Sequence, residues 1–311
     1  MTPDVSIVIV NWNTRDLLRD CLRSIGEQTQ RPYETIVVDN ASGDGSAEMV
    51  TAEFPSVTLI RNDANRGFAA ANNQGIRIAR GRYVLLLNPD TVILDGAIDR
   101  MVAWCEPQPD VGAAGCQVWE DAVTIQRTCF VDQGPLNIFL IETGLHRLFP
   151  SLFGEQDYST WDHASEREVD VVAGMFLMAP KYVVDHVGAL DEIFFVYSEE
   201  IDWCRRIREA GYRCVFTPVA RIIHRDGGKK SSQQIRPRMY VQLQKSKLLY
   251  VRKHFSPLGA LSAKATFITT QIFRWAAFGL LAIINGDKEN TARSRLARDA
   301  VKYHLTGIEP M

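Results

Sequence analysis

No two of the six cysteines form a C-x-x-C pair; Cys21, Cys105, Cys116, Cys129, Cys204 and Cys214 are scattered along the chain. Their spacing excludes the common zinc and dithiol redox motifs and fits a reduced, intracellular setting. A glycine-rich turn is missing after the first strand-like run, residues 5–10, which ends in Asn11-Trp12-Asn13-Thr14. Gly43 and Gly45, after the second run, have no third partner, so the dinucleotide-binding fingerprint is absent. Positive charge is not in surplus either. The net charge of −2 over 311 residues gives no global attraction for nucleic acid and leaves phosphate binding to local patches. Before Val5 there is no room for a basic segment, an apolar core and a cleavage site, and a cytoplasmic protein is the expectation.

What is present is a core-forming composition, 46% hydrophobic and 23% charged, in a chain long enough for one large α/β domain with an appendage or for two domains. Its organising stretch is Tyr83-Val84-Leu85-Leu86-Leu87-Asn88-Pro89-Asp90. The apolar run predicts a central strand buried on both faces, and Pro89 ends it. Ligands of open α/β sheets sit outside the carboxyl ends of the strands. Asp90 is delivered to such a place, where it can hold a divalent metal or, within an Asn-Pro-Asp turn, cap a following helix. Strand and helix patterns alternate before it. Strands are expected over residues 5–10, 34–38 and 57–60, a helix presents Leu17, Leu18, Cys21, Leu22 and Ile25, and a small-residue helical stripe runs through Phe68, Ala71, Gly75, Ile76 and Ala79. Alternation of this kind implies a parallel sheet with right-handed crossovers. Asp39, at the end of the second strand, can accept hydrogen bonds from a nucleobase or ribose, or close an Asx turn on the backbone of Ser42 or Gly43. Residues 117–168 show no clean period but are rich in aromatics, which reads as a lid or binding loop; residues 170–178 return to strand character.

A second constellation begins at Ser198-Glu199-Glu200-Ile201-Asp202. Ser198 is expected to N-cap a helix with Ile201, Cys204 and Ile207 on its core face and Gly211 as its stop. Glu199 and Glu200 then fall in the first turn, where the helix dipole favours an ionised carboxylate able to act as a general base; acids also occur in first turns for stability alone. Three acids within four positions call for a cation nearby. A short strand over residues 219–223 ends at His224, ahead of a basic, glycine-containing loop. A histidine there can coordinate a metal, contact a diphosphate or be merely structural.

Residues 5–13 and 37–46, Asn65-Arg66-Gly67-Phe68 with Asn72, Gln74 and Gly75, residues 86–91, 172–178 and 188–206, and His224 with Ser231 together resemble the inverting glycosyltransferases of family 2, in their rhamnosyltransferase-like branch. The resemblance covers residues 4–232 and implies the GT-A fold of nucleotide-diphospho-sugar transferases. That is an α/β, Rossmann-like mixed sheet flanked by helices, here with a catalytic domain over residues 1–235 and a C-terminal helical extension over 236–311. The donor half would end near residue 115 and the acceptor half would follow to 235. The resemblance further implies that Asp39 contacts the nucleotide base, that Asn11, Asn13, Asn40, Asp44, Asn65, Gly67, Asn72, Asn88, Arg225 and Lys229 complete the donor site, and that Asp90 with His224 binds Mg²⁺ or Mn²⁺ bridging the diphosphate. The family's metal motif usually has two aspartates around one residue, and the first is here Asn88. Its base motif is commonly Glu-Asp, and here it is Glu199-Glu200, which favours Glu200 as base with Asp202 and Glu199 in reserve. The implied reaction moves a sugar, with dTDP-rhamnose the first donor, to a hydroxyl of a glycan or polyprenyl-diphosphate-linked acceptor in cell-surface polysaccharide synthesis. Competing readings are a non-catalytic sugar-nucleotide or glycan binder on the same scaffold, which could lose either acid site, and a nucleotidyltransferase, which would carry a glycine- and arginine-rich loop where residues 11–15 stand.

The tail lies outside the resemblance. From Arg221 to Lys253 there are ten Lys or Arg residues and a single acid, Asp226. Residues 265–284 are long enough to cross a bilayer, but Gln271 and Arg274 near the middle make spanning costly. Two expectations remain. One is an interfacial helix on the inner face of the membrane, with Lys245, Lys247, Arg252, Lys253, Lys264, Lys288 and Trp275 suited to anionic headgroups. The other is a helix packed on the catalytic domain or on a second subunit of a homodimer.

Overall fold

The computed structural model describes residues 2–121, 123–153, 158, 161–225 and 236–310. The chain divides into two units: Met1–Val131, Thr160–Phe195 and Glu199–Ser231 form the first, and Asp132–Ser159, Val196–Ser198 and Ser232–Met311 the second. In the first, β1 (Val5–Asn11), α1 (Arg15–Gln28), β2 (Tyr33–Asp39), α2 (Ser46–Glu53), β3 (Thr58–Arg61), α3 (Phe68–Ile78) and β4 (Tyr83–Leu87) alternate. They are followed by β5 (Thr91–Ile93), α4 (Ala97–Cys105), β6 (Val111–Trp119), β7 (Ile125–Gln126) and β8 (Cys129–Phe130). The second unit then takes α5 (Pro135–Thr143), α6 (Leu145–Leu148) and α7 (Pro150–Phe153). The first unit is completed by β9 (Arg167–Glu168), β10 (Val171–Val172), β11 (Phe176–Pro180), α8 (Lys181–Val187), α9 (Glu199–Glu209) and β12 (Arg213–His224).

The main sheet runs β3-β2-β1-β4-β11-β6-β12-β5, with β7 beside β6 and β9 beside β12. Strand β4 lies between β1 and β11 and every one of its residues is buried, as the apolar run demands. The first four strands are parallel, as their alternation with helices implies, and β11 runs antiparallel to both β4 and β6, which makes the sheet mixed as the resemblance implies. Residues 170–178 are not one strand. A turn at Gly174 and Met175 divides them, letting β10 pair with β8 in a separate two-stranded sheet while β11 enters the main one. Strand β12 is twice the length its sequence suggests; a bulge between Thr217 and Arg221 accommodates Pro218, which cannot donate to a ladder. Small residues let α3 lie close to the sheet: a Cβ on Gly75 would stand 2.4 Å from Val8 Cγ1. All six cysteines are free and buried, and burial pushes the Cys21 thiol up to about 12. Strand order reverses between β1 and β4, the switch point at which open α/β sheets bind ligands.

The second unit packs α5 with α10 (Arg236–His254), α11 (Pro257–Asn285) and α12 (Lys288–Thr306). Pro257 opens α11, Ser256 caps it by accepting from the Gly259 N–H, and Gly286 in the left-handed region closes it. This helix is long and apolar enough to cross a membrane. Residues 117–168 are therefore not a single lid: their first part completes β6 to β8 and their middle forms α5 to α7.

Candidate active site

The carboxyl ends of β1 and β2 lie side by side, with Asn11 opposite Asp39. Asp39 is buried; its Oδ1 accepts from Asn11 Nδ2 at 2.9 Å and its Oδ2 from the Ser42 N–H at 3.0 Å, so the Asx turn is formed. A carboxylate offers about four lone-pair positions, which leaves acceptor capacity for a ligand N–H or O–H. The neighbouring amides and acids shape the loops. Asn11 also donates to Ser42 Oγ at 3.0 Å and accepts from Thr14 Oγ1 at 2.6 Å. Asn13, at φ 55°, accepts from the Gly43 N–H at 2.8 Å. Asp44 takes the Arg15 N–H at 2.8 Å and the Ser46 N–H at 3.1 Å, capping α1 and α2 together. Asn40, buried, donates to Asn65 Oδ1 at 2.8 Å and Gly67 O at 3.2 Å and accepts from the Arg66 N–H at 3.0 Å. Asn72 bonds back to Phe68 O within its own helix at 2.9 Å.

At the next strand end, β12 runs antiparallel to β5 with His224 opposite Thr91, and the Arg225 N–H donates to Asp90 O at 2.9 Å. This register brings His224 Nε2 within 3.0 Å of Asp90 Oδ1, with both residues buried. The approach lacks hydrogen-bond direction, and Nε2 has no hydrogen-bonded partner. Nδ1 lies 2.9 Å from Gln126 Oε1; when it donates there, Nε2 keeps its lone pair beside the carboxylate. Two electron-rich groups so close repel unless a proton or a cation joins them. Hard divalent cations are commonly held by one or two carboxylates, waters and substrate phosphates, so the pair fits a metal whose remaining ligands come from a diphosphate. Among the described residues no group of three His, Cys, Asp or Glu side chains could hold a metal without such help. Asn88, half-buried, donates its N–H to Met175 O at 3.1 Å. The Arg225 guanidinium pairs with Asp20 of α1. Lys229 and Ser231 lie outside the described residues.

Helix α9 begins at Glu199 without the expected cap. Ser198 has a φ of 70° where N-caps are extended, and its buried hydroxyl has no hydrogen-bond partner. Glu199 is buried and Glu200 half-buried; each keeps an Oε2 shielded from solvent without a partner, and neither has an ion-pair partner among the described residues. Burial raises both carboxyls above their ordinary range, Glu199 the further because the charge of Glu200 adds to the desolvation. Desolvation thus opposes the helix dipole: a helix end contributes about 0.3–1 kcal/mol, against several kcal/mol for fully desolvating a carboxylate. Such a pair shares its protons and is poised to accept one closer to neutral pH than a free glutamate. Asp202 differs. It is fully buried and bonded to Arg206 Nε at 2.8 Å, and the same guanidinium donates to Val187 O at 3.0 Å and Ala189 O at 2.7 Å. The cation called for by the acid cluster is Arg206, and it serves Asp202.

The loop before α9 is stapled to α3. Asn73 Nδ2 donates to Leu190 O at 2.8 Å while its Oδ1 accepts the Leu190 N–H at 3.1 Å, and the Phe68 N–H donates to Phe195 O at 2.6 Å. Trp203 Nε1 donates to Gly188 O at 2.8 Å. Gly174, next to the Met175 that holds Asn88, lies against Phe68 and Glu200: a Cβ on it would meet Phe68 Cε1 at 3.6 Å and Glu200 Cβ at 3.9 Å. The turn at Gly174 and Met175 thus adjoins both the end of β4 and Glu200. Sequence reasoning missed Asn73, Gln126 and Arg206. The i,i+4 spacing of Asp202 and Arg206 was a usable signal for the last; Gln126, on a two-residue strand, offered none.

Residues 6–129 match the family model described as Glycosyl transferase family 2. The chain is 27% identical over 240 residues to the N-acetylglucosaminyl-diphospho-decaprenol L-rhamnosyltransferase of Mycobacterium tuberculosis, covering 72% of this chain and 76% of that protein. It is 24% identical over 252 residues to the O-antigen biosynthesis protein RfbC of Myxococcus xanthus, covering 75% of this chain but 18% of that longer one. Among solved structures it is similar to a mannosyltransferase from Pyrobaculum calidifontis in complex with GDP-Man and Mn²⁺, with a TM-score of 0.57 at 17% identity, covering 99% of this chain and 89% of that one.

Proposed function

The chain is a glycosyltransferase with the GT-A fold, similar to family 2 and to its rhamnosyltransferase branch, and from that premise we propose that it inverts a sugar, rhamnose from dTDP-rhamnose first among candidates, onto a hydroxyl of a polyprenyl-diphosphate-linked glycan on the cytoplasmic side of a membrane. The observation that carries the mechanism is the Glu199–Glu200 pair at the start of α9, each with a shielded Oε2 and no ion-pair partner among the described residues. Glu200 accepts the proton of the acceptor hydroxyl as its oxygen bonds to the anomeric carbon from the face opposite the diphosphate. The bond from that carbon to the diphosphate oxygen breaks, and its electron pair leaves with the nucleotide. Burial keeps the proton affinity of Glu200 high, and Asp202 with Arg206 positions the helix that bears it. Asp39 accepts from the nucleotide, and Asp90 with His224 would hold a divalent cation. Bound there, such a cation supplies positive charge to the departing diphosphate. The lipid-linked acceptor is supported by the decaprenol-linked substrate in the name of the mycobacterial relative, and its place in polysaccharide synthesis by the O-antigen relative.

The test is to incubate the enzyme with a panel of nucleotide sugars and N-acetylglucosaminyl-diphospho-polyprenol and to read product mass and anomeric configuration. Transfer from dTDP-rhamnose with inversion is expected. Retention of configuration would remove Glu200 as a simple base, and donor binding without transfer to any acceptor would favour the non-catalytic reading.

A further inference from the structure

Helix α11 packs Ala263, Phe267, Thr270 and Gln271 against protein and leaves most of its large apolar side chains on the outside. On its packed face Gln271 is fully buried and accepts from Tyr240 Oη at 2.8 Å, and Arg274 pairs with Glu142 of α5 at 2.8 Å. On the opposite face Leu258, Leu261, Ile272, Phe273, Leu280 and Ile283 recur at helical spacing and are exposed, Leu258 by 74%, Phe273 by 70% and Ile283 by 82%. The helix has 29 residues, about 40 Å at 1.5 Å per residue. Lys264 and Arg274 are its sole charged residues, and neither lies on that stripe. Soluble monomers rarely leave so long an apolar strip uncovered.

The charge around the strip says what covers it. Residues 236–311 carry 13 Lys or Arg against four Asp or Glu, in a chain whose net charge is −2. A cleft of about 440 Å³ lined by Arg252, Phe255, Leu261 and Lys264 lies at one end of the helix. Another of about 320 Å³, lined by Trp275, Ile283, Arg295 and Arg298, lies toward the other. Leu261 and Ile283 belong both to the strip and to these clefts, so cations border it at each end. A second copy of the chain would bring the same cations and repel, whereas anionic lipid headgroups neutralise them while the acyl layer takes the apolar residues. Spanning is excluded by α12, which packs along α11 and would carry Arg293, Arg295 and Arg298 into hydrocarbon. The cost of Gln271 and Arg274, read from the sequence as an obstacle to membrane insertion, does not arise for a helix lying in the interface, because both face protein.

We propose that α11 docks in the plane of an anionic membrane with its apolar strip inward and Arg252, Lys264, Arg295 and Arg298 at headgroup level. The docking goes beyond the transfer reaction and does not depend on it. The experiment is flotation of the full chain with vesicles of phosphatidylcholine alone and of equal parts phosphatidylcholine and phosphatidylglycerol, at low and high salt. The protein is expected to float with the anionic vesicles, and to do so less with the neutral ones or as salt rises. Phe273→Glu/Ile283→Glu should float about tenfold less with an unchanged unfolding temperature, since both side chains are exposed. Failure of the wild-type chain to float at low salt, or undiminished flotation of the double variant, overturns the proposal. So does a salt-resistant dimer, seen by sedimentation without vesicles, that the double variant converts to monomer, because the strip would then belong to a second copy. A chain that floats as expected but transfers no sugar to a water-soluble acceptor analogue refutes the reaction and leaves the docking intact.

Discussion

At Glu199 and Glu200 two carboxyls share a buried first turn, and their proton affinity is set by what surrounds them. Glu200→Gln keeps the shape and removes the basicity. It should lower kcat by about 10²–10⁴-fold while leaving donor affinity, measured by calorimetry, nearly unchanged. If Asp202→Asn is instead the inactive variant and Glu200→Gln is active, the base lies two residues further along. Glu199→Gln tests the coupling. A carboxyl raised in the folded state contributes stability that is complete below its ordinary pKa and is lost as pH rises through the raised value. Removing it should therefore raise the melting temperature more at pH 8 than at pH 5 and leave the acid limb of the pH–rate profile near its place, because burial and not the charge of Glu199 raises Glu200. Equal melting gains at both pH values would mean that Glu199 does not titrate in this window. The identities of these acids were legible in the sequence. Their raised proton affinity was not, because it comes from residues distant in the chain that exclude water.

At the scale of elements, the site depends on how α9 and the loop before it are fixed. Arg206 joins a fully buried Asp202 to the carbonyls of Val187 and Ala189, so Arg206→Met removes the ion pair of a buried charge and should cost about 3–5 kcal/mol in chemical unfolding. Asp202→Asn in the same chain should restore much of that loss; no recovery would show that the carbonyl contacts, not the charge, are what Arg206 provides. Gly67 is the second fixed point. Its φ is 85°, and an added Cβ would stand 2.4 Å from Phe195 O, beside the bond from the Phe68 N–H to the same oxygen. Gly67→Ala should destabilise by about 1–3 kcal/mol and reduce turnover more than donor affinity, since the staple it breaks leads to the acid helix. The motif flagged Gly67, but its contact could not be read from one strand of text: Gly67 and Phe195 meet through the packing of α3 against a loop more than a hundred residues away.

For the molecule as a whole, chelation is the informative perturbation. EDTA treatment should abolish transfer, with Mg²⁺ or Mn²⁺ restoring it, and His224→Ala should require more cation for the same recovery. Undiminished turnover without metal would remove the cation from the Asp90–His224 pair and leave the fold untouched. The sequence by itself determined the alternation of β1 to β4 with their helices, the buried run that ends at Asp90, the resemblance and the apolar length of α11, because each is a local pattern of period, propensity or motif. The tertiary structure decided the rest. Register between β12 and β5 set His224 beside Asp90; the turn at Gly174 split residues 170–178 between two sheets; burial raised the proton affinity of Glu199 and Glu200 against the helix dipole; and packing on α5 turned Arg274 inward, leaving the apolar stripe of α11 outside. Desolvation, strand register and the facing of a helix are properties of contacts between segments far apart in the chain, and a linear pattern does not carry them.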